Sequence, residues 1–115
     1  MRRVEVLLPP AKLDEVKESL ADIGIENMTL AEVKVVDPAN RRREVFRGTE
    51  YLVDFALKVK MGLLVKESLL PGVLAALTAS LGAAEADETE VLLSEVVQVV
   101  RLRPGAQSLR SSAHP

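Results

Sequence analysis

Apolar and polar positions follow two rhythms along the chain. Arg3 to Leu8 alternates, with Val4, Val6 and Leu8 on one face, and predicts a short strand. Pro9 and Pro10 stop it, and Leu13, Val16, Leu20 and Ile23 then recur at helical spacing. Asp14 and Glu15 suit the positive end of that helix, and Gly24 suits its C-terminal cap. Thr29 to Val36 reads as a second strand, with Thr29, Ala31, Val33 and Val35 on one face and Glu32 and Lys34 on the other. The longest alternation places Tyr51, Val53, Phe55, Leu57, Val59, Met61, Leu63 and Val65 at every second position, opposite Asp54, Lys58 and Lys60. That is one continuous third strand, longer than most. Part of it is expected to project beyond the sheet or to pair with another subunit. Pro71 fits the first turn of a second helix. Leu70, Val73, Leu74, Leu77 and Leu81 form its apolar stripe, and Gly82 ends it. An acidic loop with Glu85, Asp87, Glu88 and Glu90 leads to strand material over Val91 to Arg103, broken near Ser94 and Glu95.

The order strand, helix, strand, strand, helix, strand predicts an α+β, ferredoxin-like split βαβ sandwich over residues 1–103. Two helices cover one sheet face. The other face has no cover in the chain, although its strands are apolar on much of both sides, so association through that bare face is expected. Between the second and third strands, Asp37 to Glu50 carries Pro38, Asn40, Gly48, the run Arg41, Arg42, Arg43, and Arg47. It is too polar for a core. It reads as a solvated hairpin extension or as an arm that grips a partner, its arginines suited to bidentate contact with carboxylates or phosphates.

Composition narrows the chemistry. The chain has 115 residues, 48% hydrophobic and 3% aromatic, so its core is built from Leu, Val, Ile and Ala. Charged residues make up 28% and the net charge is -2, which argues against a disordered tail and a basic nucleic-acid binder. The arginine run has no aromatic platform beside it, so nucleic acid is not an expected partner. Absence of Cys excludes disulfides, thiolate metal sites and cysteine nucleophiles. No apolar run reaches the roughly 18 residues of a membrane span, and no signal peptide is evident, so a cytoplasmic protein is expected. The single His, His114, shares a Pro/Gly/Ser-rich tail over residues 104–115 with Ser108, Ser111 and Ser112. That tail is expected to be flexible, and a triad there would lack a rigid scaffold. With no paired carboxylates on a rigid wall and no nucleophile–base pair, an enzyme is not expected.

Several stretches resemble the PII nitrogen-regulatory signalling proteins. They are Lys12-Leu13-Asp14-Glu15-Val16-Lys17-Glu18, Gly24-Ile25, Met28-Thr29, Glu32-Val33-Lys34, Phe46-Arg47-Gly48-Thr49-Glu50-Tyr51, Val53-Asp54-Phe55, Lys58-Val59-Lys60 and Val100-Arg101-Leu102-Arg103. The resemblance implies a homotrimer whose sheets line a central barrel. It implies an arm, residues 37–55, that docks on a transporter, an enzyme or a regulator, and clefts between subunits for ATP or ADP and, through magnesium, 2-oxoglutarate. By position, Tyr51 matches a tyrosine that is uridylylated in relatives, and Thr49 a modifiable serine. Arg47 and Glu50 match the arm's tip. Thr29, Lys58, Arg101 and Arg103 match cleft positions, Lys58 meeting the 2-oxoglutarate carboxylate and the two arginines meeting phosphates from the neighbouring subunit.

The departures from that pattern are chemical. Where the family carries Gly-Asp-Gly-Lys, this chain has Asp87-Glu88-Thr89-Glu90, whose carboxylates repel a triphosphate. Where it carries Gly-Phe-Gly-Arg-Gln, this chain has Val35-Val36-Asp37-Pro38-Ala39, and the adenine-contacting glutamate is Gly62. The expectation is a divergent member that keeps its assembly and controls a partner through its arm, with ATP/2-oxoglutarate sensing altered or lost. A different small anion could be held by Lys58, Arg101 and Arg103. The alternative is a relative of metal-tolerance trimers that answers to another ligand or to a hard ion at Asp87, Glu88 and Glu90.

Overall fold

The computed structural model describes residues 1–103 and 106–110. Four strands form the central sheet in the order β2-β5-β1-β6: β1 (Arg2–Leu8), β2 (Thr29–Val36), β5 (Phe55–Val65) and β6 (Val91–Glu95). All neighbours are antiparallel. Helices α1 (Leu13–Asp22) and α2 (Leu70–Leu81) follow β1 and β5. This is the mixed α+β, ferredoxin-like arrangement expected from the order of elements. The register sets the core. Val4 pairs with Leu63, Val6 with Met61 and Leu8 with Val59, and all six side chains are buried. Onto that face α1 presents Val16 and Leu20, and α2 presents Val73, Leu77 and Leu81. Each fully buried side chain of this kind contributes about 1.5–3 kcal/mol. The helices also share a polar contact, where Ser80 Oγ lies 2.6 Å from Ser19 Oγ and 2.8 Å from the Ala76 carbonyl. No helix among the described residues is long and apolar enough to cross a membrane.

Three features differ from the sequence expectation, and the segment between β2 and β5 takes the hairpin form, one of its two readings. The long third strand is two strands, because β4 (Thr49–Val53) ends before Asp54 and β5 begins after it. The alternation persists but continuous burial stops at Val59: Leu57 is 61% exposed and Tyr51 51% exposed, with Val53 alone buried between them. The reason is sheet width. Leu8 opposite Val59 is the last β1 pair, and beyond it β5 has only β2 beside it. The segment between β2 and β5 is a ribbon in which β3 (Arg42–Phe46) pairs with β4. Its turn places Arg47 at φ 52° and Gly48 at φ 78° between the paired residues Phe46 and Thr49. Two consecutive left-handed residues match the right-handed twist of the flanking strands, so the ribbon closes tightly. The acidic stretch contains a short helix, α3 (Ala83–Asp87), before β6. Finally, β7 (Val99–Arg103) pairs with β8 (Ala106–Arg110), so part of the tail expected to be flexible is a strand. Residues 104, 105 and 111–115, which include Ser111, Ser112 and His114, lie outside the described residues.

Candidate functional site

The side of the sheet away from the helices carries a mixed surface. Leu7, Leu64 and Leu92 project there, 39%, 42% and 60% exposed. Between them stand Arg3, Glu5, Lys58 and Lys60, which the pleat places on the same side as Leu7. Glu5 Oε1 accepts from Arg3 Nη2 at 2.9 Å and lies 3.5 Å from Lys60 Nζ.

A cavity of about 590 Å³ opens on this face. Its floor is β1, β2 and β5, through Leu7, Val33, Val35, Lys58 and Lys60. Its far wall comes from α3 and the segment that follows, through Glu85, Glu88, Thr89 and Glu90. Thr89 Oγ1 donates to the Glu85 carbonyl at 2.7 Å, which ties the acidic segment back onto α3. Lys58 is half-buried and, among the described residues, makes no ion pair; nor do Glu85, Glu88 and Glu90. Lys34 instead sits 4.7 Å from the Phe55 ring centre. A smaller depression of about 90 Å³, lined by Thr29, Ala31, Lys60 and Gly62, adjoins it through Glu5 and Lys60. There Thr29 Oγ1 occupies the space that a Cβ at position 62 would need, only 2.6 Å away.

The structure thus brings Lys58 and Thr29 to neighbouring hollows on one face. It does not bring Arg101 and Arg103 to them within one chain, because both are exposed on β7, outside the central sheet. Glu5 and Lys60 were not assigned to the site by sequence reasoning. Their signal was available, since charged residues on an otherwise apolar alternation mark a face that is not core.

The ribbon rises from the end of β5 nearest Lys58. Its root is fixed by the Asp37 amide, which donates to the Asp54 carbonyl at 2.6 Å, and by Arg42 Nη1, which donates to the Phe55 carbonyl at 3.0 Å. Pro38–Asn40 forms a single turn capped by Asp37, whose carboxylate accepts from the Ala39 amide and from Asn40 Nδ2. Arg42 also pairs with Glu44 at 2.8 Å, and Arg43 reaches Glu50 across the ribbon at 3.7 Å. Arg41 and Arg47 make no ion pair among the described residues, and Arg47 lies against the Phe46 ring, 5.2 Å from its centre. Val45, Phe46, Tyr51 and Leu52 are all more than half exposed. The protrusion therefore exposes cationic and apolar groups side by side and buries little of either.

Comparison with known proteins agrees with this layout. The family model described as "Nitrogen regulatory protein P-II" matches residues 1–106. A protein named "Nitrogen regulatory protein P-II" from Pasteurella multocida is 33% identical over 108 residues, covering 94% of this chain and 96% of the relative. One of the same name from Azospirillum brasilense is 34% identical over 105 residues, 91% of this chain and 94% of the relative. "Nitrogen regulatory protein P-II 1" from Escherichia coli is 31% identical over 107 residues, 93% of this chain and 96% of the relative. With the fold, the length and the order of motifs all matched, the chain belongs to the P-II family of nitrogen-regulatory signal-transduction proteins.

Proposed function

We propose that the protein is a homotrimeric, non-enzymatic regulator of the cytoplasm that controls a target protein through residues 37–55, with the family's ATP and 2-oxoglutarate response altered or lost. The observation that carries this reading is the β3–β4 ribbon, which exposes Arg41, Arg43, Arg47, Phe46 and Leu52 and is rooted on the strand that bears Lys58. A protrusion of this kind offers cations and apolar area to a partner, and its cross-strand pairs keep the ordering cost of binding low. The exposed leucines of the bare sheet face supply the apolar surface that three copies would bury.

In this reading Thr29 and Lys58 serve the cleft of their own subunit, and Arg101 and Arg103 reach that of a neighbour. The carboxylates of Glu85, Glu88 and Glu90 line the same cavity as Lys58 and lower its affinity for a triphosphate. The capped turn at Pro38–Asn40 puts Pro38 and Ala39 where the family carries an arginine and a glutamine for phosphate and magnesium-bound 2-oxoglutarate, and Arg42 beside it is engaged by the Phe55 carbonyl. Tyr51, exposed on the ribbon, is accessible to a modifying transferase.

Removing residues 38–50 tests the assignment. The shortened chain should retain the mass of a trimer by light scattering and lose capture of the target that the full chain retains. A lone subunit at micromolar concentration, or unchanged capture by the shortened chain, refutes it. A strong rise in melting temperature with ATP, enhanced by 2-oxoglutarate, refutes the altered response.

A further inference from the structure

The ribbon joins the sheet at a hinge. β3 and β4 form a sheet of their own, and Asp54 belongs to neither β4 nor β5. Beside it the Asp37 amide donates to the Asp54 carbonyl at 2.6 Å. The two chain crossings and this bond lie side by side, so they leave the ribbon free to pivot about the line through them. Arg42 supplies an attachment off that line. Because Asp37 and Asp54 are a hydrogen-bonded pair, the next pair in the β2–β5 register, Val36 with Phe55, turns its N–H and C=O groups outward. The Phe55 carbonyl therefore faces the side on which β1 lies further along, and β1 has already ended opposite Val59. Arg42 Nη1 donates into that gap at 3.0 Å. Through Nε the same guanidinium donates to Glu44 at 2.8 Å. Arg42 and Glu44 are two apart on β3 and share a face, so the carboxylate holds the guanidinium where it reaches back to β5. Both side chains are about half exposed, 48% and 53%, so water competes for these bonds.

We infer that Arg42 is a releasable strap that sets the attitude of the ribbon, with Glu44 as its positioning residue. Fastened, the strap holds the ribbon at one angle to the sheet. Released, the ribbon pivots at Asp54 while its own β3–β4 ladder stays intact. Charge-assisted but half-exposed bonds bias this equilibrium by about tenfold toward the fastened state. The released attitude is thus populated, and a target can select either one. The inference rests on the reading that residues 37–55 are the gripping arm, and it names what regulates how that arm is presented.

Distance measurement by electron double resonance tests it. The chain has no Cys, so K17C and V45C place spin labels at two exposed positions only, one on α1 and one on the ribbon. Labelled chain is diluted into an excess of unlabelled chain, so that each assembly reports one subunit. The labelled chain should show one dominant distance, with about a tenth of the population elsewhere. R42Q should raise that minor fraction about fivefold. R42K, which reaches one acceptor at a time, and E44Q should fall between the two. Amide exchange over residues 42–53 and the mass by light scattering should stay unchanged in all of them. An unaltered distribution in R42Q overturns the strap, as does a labelled chain already as broad as R42Q. Faster exchange throughout the R42Q ribbon also overturns it, because Arg42 would then hold the hairpin together instead of its attitude. If R42Q does not fold, an unaltered distribution in both R42K and E44Q overturns it. These results sink the strap alone, whereas unchanged target capture after removal of residues 38–50 sinks the reading of the arm.

Discussion

Replacing Gly62 by Ala should destabilise the protein, and the same change should become stabilising once Thr29 is trimmed. Gly62 lies opposite Thr29 in the β2–β5 ladder. A Cβ built on it would stand 2.6 Å from Thr29 Oγ1 but 4.0 Å from Thr29 Cβ. The first contact cannot persist, and the second is ordinary packing. Thr29 must therefore rotate, giving up its 3.4 Å bond to the Gly62 carbonyl and leaving its preferred rotamer. The rotamer change costs about 0.5–1.5 kcal/mol, and a bond that long lies at the low end of about 0.5–1.5 kcal/mol. Against this, Ala in a strand gains about 0.5–1 kcal/mol over Gly through the unfolded chain. The net effect of G62A is a loss of about 1 kcal/mol. In a T29A background the obstacle is gone and only the gain of about 0.5 kcal/mol remains. The double-mutant cycle then shows a coupling of about 1.5 kcal/mol. Urea unfolding of the four proteins at one fixed protein concentration measures it. If G62A has the same effect with Thr29 present and absent, the steric argument is wrong.

Three further perturbations follow from the fold. L20A deletes a side chain sealed between α1 and the sheet and should cost about 2–5 kcal/mol in denaturant unfolding. G48A forces Cβ into the left-handed turn of the ribbon at about 1–2 kcal/mol, and should speed amide exchange across residues 42–53 while leaving the sheet core protected. Glu67 accepts a hydrogen bond from Arg2 at 2.7 Å, and that bond holds its carboxyl below the ordinary carboxylate range. Its folded value is below its unfolded value, so the contribution is complete above the unfolded value and disappears as pH falls through the folded one. NMR titration should find Glu67 protonating at lower pH in the wild-type chain than in R2Q.

The elements that pack were legible because their periods were clean. Val4, Val6 and Leu8, and then Val59 to Val65, alternate without a break, and the structure buries every one of those apolar positions. Val16 and Leu20 did the same for α1. What the pattern could not reveal was where alternation ceases to mean core. Leu57 and Tyr51 continue the rhythm into solvent, because the β1 neighbour that would widen the sheet ends at Leu8. The ribbon turn was hidden because Arg47-Gly48 lacks the Asn-Gly or Asp-Gly pair that usually marks it, although Gly48 was present. Within the site, Lys58 and the glutamates were visible singly. Their meeting across one hollow was not, since α3 folds the acidic segment over the strands from more than twenty residues away.

The stapled root of the ribbon makes it a lever. Asp37 and Arg42 clamp it to Asp54 and Phe55, the latter three residues along β5 from Lys58. Five strand residues reach about 17 Å, so a tilt of about 10° at the clamp swings the tip by about 3 Å. Small adjustments of β5 beside Lys58 are thereby magnified at the far end of the ribbon, where Arg47 and Gly48 form its turn.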